Sequence, residues 1–188
     1  MQAFPIHTLE SAPEHSKQSL EILQGVFGTI PNIAGVMSAS PVLIGSLVAL
    51  FQKVHGGRFA EDQIQVLLLT NAVTNTCPWA VAFHSALALK SGVAPAEVQA
   101  IRDRQTPNDP KNAALSTLAR TLIEKRGRLD DREISRFLQA GFEEAHLLEV
   151  IAVVAASTIT NYTGNVAKPP VEAAFAGYAW SPAFNGIG

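Results

Sequence analysis

The one cysteine in 188 residues, Cys77, stands directly before Pro78. Proline lacks the N–H that is left unpaired in the first turn of a helix, and its φ is already helical. Pro78 therefore reads as the first residue of a helix and Cys77 as its cap. Unpaired N–H groups and the helix dipole favour negative charge there. This predicts a thiol of lowered pKa, alkylated readily at neutral pH and oxidised by peroxide to a sulfenic acid. His84 follows seven positions later. Seven residues are about two turns, so both side chains share one helix face, roughly 10 Å apart along the axis. They are too far apart to touch but could line one solvent-connected pocket. The alternative is a buried core cysteine and a histidine of no consequence, since free cysteine is commonly buried.

Glu149 is a third candidate. It lies among Leu147, Leu148, Val150 and Ile151. A carboxylate in that setting must be paired, exposed at an edge or shifted in pKa, which marks it as a possible acid/base group. His55, ahead of Gly56-Gly57, reads as a helix C-terminal residue favoured by the dipole when charged. His15 and His146 read as surface residues. A metal site would need the fold to join His84 with His55 and Glu149. No G-x-G-x-x-G, G-x-x-x-x-G-K, H-E-x-x-H or C-x-x-C occurs, so no metal or cofactor is expected.

Two helices meeting at a corner must position Cys77 and His84. The first, about 61–75, carries Ile64, Val66, Leu67, Leu68, Leu69, Ala72 and Val73 and is apolar on almost every side, as befits the middle of a protein. The second starts at Pro78. Before them, helical periodicity is read over about 13–27, 32–37 and 40–54. After them it continues over about 94–104, 111–126, 130–140 and 143–166. In the last of these, Glu149, Ala152, Ala156, Thr160 and Gly164 form a stripe suited to close packing or to a cavity wall. No β pattern appears, and the expected fold is all-α, one domain over 1–188 with an arm at 1–12 and a tail at 168–188. Phe175, Tyr178, Trp180 and Phe184 of the tail should dock on the domain or on a neighbouring subunit.

Composition narrows the function classes. Hydrophobic residues make up 47% and charged residues 16%, with a net charge of −2. So little charge predicts a homo-oligomer, and the near-neutral balance points away from nucleic acid and anionic membranes. The opening MQAFPIHTLESAPEHS has no basic segment before an apolar run, so it does not read as a signal peptide. The nearest approach to a spanning segment is Val150–Ile159, interrupted by Ser157 and Thr158. A cytoplasmic location is the default expectation.

CPWAVAFH, with the apolar helix before it and SALALKSGVAPAEVQAI after it, resembles the carboxymuconolactone decarboxylase and alkylhydroperoxidase D superfamily. The likeness covers most of residues 30–166. It implies an all-helical, oligomeric, cofactor-free chain. In the peroxidase branch the pattern is Glu, then Cys-x-x-Cys-x-x-x-His. Its first cysteine matches Cys77 and its histidine His84; the second cysteine falls on Ala80 and the glutamate on Gln65. The resemblance implies an antioxidant-type oxidoreductase that reduces hydroperoxides through Cys77 as a single redox thiol. His84 would polarise the peroxide or stabilise the thiolate, Gln65 would donate a hydrogen bond, and an external thiol would resolve the product. Two other readings stand beside it. One is a lyase of the decarboxylase branch using His84 with Glu149, for which Lys90 is the one basic residue in the 65–92 stretch. The other is a catalytically silent helical oligomer that binds a small ligand.

Overall fold

A computed structural model describes residues 4–182 of the chain. It contains nine α-helices among those residues: α1 Glu14–Phe27, α2 Asn32–Met37, α3 Pro41–His55, α4 Glu61–Thr74, α5 Pro78–Lys90, α6 Pro95–Arg102, α7 Pro110–Glu124, α8 Asp131–Gln139 and α9 Glu144–Ala167. There is no strand among the described residues, and the all-α expectation holds. Helix starts follow local chemistry. Proline opens α3, α5, α6 and α7. Ser40, Asp109 and Asp130 accept backbone N–H bonds at the starts of α3, α7 and α8.

The apolar-all-round helix α4 is the centre of the molecule. Every residue from Ile64 to Val73 is buried, and the helix packs against α3, α5, α6, α7 and α9. Helix α9 is long and apolar enough, by length and composition, to cross a membrane, although Ser157 and Thr158 interrupt its apolar run. Here one side of it lies against α2, α3, α4, α5 and α7, and 33% of its apolar stretch is buried.

The corner between α4 and α5 is closed by backbone bonds. Cys77 N–H donates to Ala72 O at 3.0 Å and Thr76 N–H to Val73 O at 3.2 Å. This is the Schellman pattern, in which the residue after the cap is left-handed and is usually glycine. Here it is Thr76, at φ 53°. The corner thus delivers Cys77 directly onto the start of α5.

The tail docks on its own domain. A 3-10 turn, Ala173–Tyr178, lies against α5. The Arg102 guanidinium donates to the carbonyls of Tyr178 and Ala179, and Trp180 Nε1–H donates to Arg102 O. Phe175 packs edge-on to Phe83, 5.1 Å between ring centres. Phe184 lies outside the described residues.

Candidate active site

A cavity of about 580 Å³ opens between α1, α3, α4, α5, α9 and the tail, within the usual range for small-molecule sites. Its walls are aromatic. Phe27 and Phe51 stand 5.8 Å apart, Phe27 and Phe83 5.2 Å, and Trp79 stacks on Phe83 at 4.9 Å; Phe175 closes the set from the tail. Trp79 and Phe83 sit one turn apart on α5, so helical spacing alone stacks them. Ala156, Ser157 and Thr160 of α9 contribute a low wall.

The polar side of the cavity is a chain of hydrogen bonds. His84 Nδ1 lies 3.0 Å from Gln65 Oε1. Gln65 Nε2–H donates to Glu61 Oε1 at 2.7 Å. The other oxygen of Glu61, Oε2, is 2.8 Å from His55 Nδ1. All four residues line the cavity. Direction follows from the donor inventory. A carboxylate only accepts, so the Gln65 amide nitrogen must face Glu61, and its oxygen must face His84. His84 Nδ1 is therefore the protonated nitrogen, and Nε2 keeps its lone pair. Burial, with a smaller contribution from the neighbouring His55, lowers the His84 pKa from 6.5 to about 3. His84 is 8% exposed and neutral at physiological pH, with Nε2 the atom left for a bound molecule.

Cys77 is elsewhere. It is 0% exposed and does not line the cavity. A Cβ on Gly164 would come within 2.6 Å of its Sγ, so α9 seals the thiol at close range. The lowered thiol pKa expected from the helix start is corrected by this burial. The N–H groups of Trp79 and Ala80 do favour the thiolate, but loss of water outweighs them and the pKa is raised. Ala80 is also fully buried and outside the cavity wall.

Glu149 takes the paired alternative among the three read from its setting. It turns away from the cavity, accepts Arg58 N–H at 2.8 Å and pairs with the Arg58 guanidinium at 3.3 Å. Of the apolar run around it only Val150 is buried, while Leu148 and Ile151 are exposed, and the carboxylate leaves the helix over Gly57, where no side chain stands in its way. The small-residue stripe does both things expected of it: Ala156 and Thr160 line the cavity, and Gly164 packs on Cys77. His84, His55 and Glu149 do not converge, and no cluster of three metal-ligating side chains occurs among the described residues.

Two contributors, Glu61 and Glu172, were not singled out from sequence, and His55 was read only as a helix end or a metal ligand. Glu61 is spaced four residues before Gln65, a signal that was available. His55 reaches the chain of bonds across the α3–α4 loop. Glu172 of the tail accepts from Asn32 N–H and Trp79 Nε1–H, holding the indole in the wall.

These features define a helical scaffold built around one aromatic cavity with a buried histidine. More particularly, the chain has the alkylhydroperoxidase D (AhpD)-like fold. A peroxidase-related protein with an AhpD core from Ralstonia eutropha JMP134 superposes with a TM-score of 0.81 at 15% identity, over 92% of this chain and 93% of that one. A peroxidase-related protein from Silicibacter sp. TM1040 gives 0.76 at 15%, over 93% and 92%. The debrominase Bmp8, in a complex of a cysteine-to-alanine variant with 2,3,4-tribromopyrrole, gives 0.75 at 15%, over 95% of each chain. No protein-family model and no curated protein sequence matches the chain.

Proposed function

We propose that the cavity binds a small, largely apolar molecule and that His84 Nε2 exchanges a proton with it. The observation that carries this reading is the bond chain His84–Gln65–Glu61–His55, which holds the imidazole in one tautomer with its lone pair available to the cavity. General bases need that arrangement before they need a matched pKa. Burial opposes the imidazolium, so transfer to Nε2 is favoured only when the negative charge left on the ligand stays beside the ring. Gln65 and Glu61 act as positioning residues. The debrominase complex supports the reading to the extent that the same fold holds a halogenated pyrrole.

Hydroperoxide reduction through Cys77 with an external thiol is the competing reading. It would require the thiol to meet peroxide, and the seal formed by Gly164 weighs against it. The low charged fraction, together with Leu148, Ile151, Tyr162 and Val166 exposed along α9, supports self-association into at least a dimer.

The test is solvent deuterium incorporation into a panel of aryl ketones and 1,3-dicarbonyl compounds, read by mass spectrometry. Incorporation should be catalysed by the native chain, fall to background in His84→Gln and persist in Cys77→Ala. Exchange indifferent to His84→Gln, or dithiol-coupled hydroperoxide consumption that disappears in Cys77→Ala, would overturn the proposal.

A further inference from the structure

Building on the cavity as the substrate site, we infer that its ligand is a planar aromatic or conjugated acid. It carries an X–H hydrogen-bond donor at one end and a carboxylate at the other. The planar body follows from the walls. Phe27, Phe51, Trp79, Phe83 and Phe175 come from four separate parts of the chain and present ring faces and edges to the same space. Flat π-systems gain from offset and edge contacts with such rings beyond simple burial.

The donor end follows from His84. With Nδ1–H committed to Gln65, Nε2 can only accept. A ligand presenting another acceptor there would leave two lone pairs facing each other in a dry site, which is costly. The atom placed against Nε2 must bring a hydrogen.

The anionic end follows from the distribution of charge at the rim. Both oxygens of Glu172 are taken by Asn32 N–H and Trp79 Nε1–H, and both oxygens of Glu61 by Gln65 and His55. Lys90, which also lines the cavity, has no ion-pair partner among the described residues. It is exposed, on the last turn of α5. An anion entering the cavity thus meets an uncommitted ammonium. His84 and Lys90 are six residues apart on one helix, roughly 9 Å along its axis. A single aromatic ring with a short conjugated arm spans that length.

Calorimetric titration with three probes tests the inference: 4-hydroxycinnamate, cinnamate, which lacks the donor, and methyl 4-hydroxycinnamate, which lacks the anion. The hydroxy acid should bind at least about tenfold more tightly than either, the scale of one well-made buried polar contact. His84→Phe should erase the advantage of the hydroxyl. Lys90→Met should erase the advantage of the acid over its ester; because Lys90 is exposed, that variant keeps the test decisive even if the His84 variant does not fold. Equal affinities for all three probes would overturn this inference while leaving the cavity reading intact. So would preferences that survive both substitutions. Binding of none of the three would overturn the inference and the cavity reading together.

Discussion

Cys77 and His84 leave α5 on the same side, two turns apart, yet they sit in opposite surroundings. At the helix start the fold offers a thiol two N–H donors and then closes α9 over it, so the thiol is buried and its pKa is raised. Two turns on, Ala156 and Thr160 of α9 and five aromatic rings line a cavity, and the histidine lies in its wall. One helix face therefore carries a core end and a cavity end. At one end α9 places Gly164 against the sulfur, and at the other Ala156, Ser157 and Thr160 line the cavity that His84 also lines.

The largest expected effect separates the two ends by pH. His84 binds its proton less readily folded, at about 3, than at its ordinary 6.5. The unfolded chain therefore takes up a proton first as the pH falls. The stability that His84 contributes is complete above about pH 6.5, shrinks as the pH drops from there to about 3, and is constant below. The loss has an upper bound of about 5 kcal/mol. Urea unfolding across that window should show the decline in the native chain and a flatter profile in His84→Gln. The same slope in both would place the acid sensitivity elsewhere.

A smaller effect probes the sealed end. Gly164→Ala puts a Cβ against the Cys77 sulfur at 2.6 Å and should cost about 1–3 kcal/mol through overpacking. The second substitution Cys77→Ala removes the sulfur and should recover most of the loss. A double-mutant cycle in chemical denaturation measures the coupling; additive costs would mean that the two do not touch.

The smallest effect concerns reactivity. Cys77 should alkylate more slowly than a free thiol at neutral pH, and Cys77→Ala should leave ligand binding at the cavity within about twofold of native, as expected of sites that share no partner. Rapid labelling of the folded chain would show the thiol to be open.

The fold was readable because its cues are local. Proline at the first helical position, glycine stops and apolar periodicity located all nine helices, and the all-round apolar pattern of 61–75 marked the central one. The corner was harder, because Thr76 takes a left-handed position where glycine is expected. The environment of Cys77 depends on Gly164, far along the chain, and no spacing rule near the cysteine could report it. His84 and Gln65 were named from the resemblance, but the bond between them, and its extension through Glu61 to His55, required the α3–α4 loop to bring α3 beside α4. For Glu149 the paired, edge-exposed and pKa-shifted alternatives stood open, because a run of apolar neighbours says nothing about which way one side chain leaves the helix.

The central claim is that the fold holds His84 neutral, protonated on Nδ1, with the Nε2 lone pair in the cavity. Nitrogen NMR of the histidine-labelled native protein reads this directly. The account predicts one histidine in the Nδ1–H tautomer whose shifts do not move between about pH 8 and pH 5. It also predicts that this signal is lost in His84→Gln. A midpoint near the ordinary 6.5, or a proton found on Nε2, would contradict it.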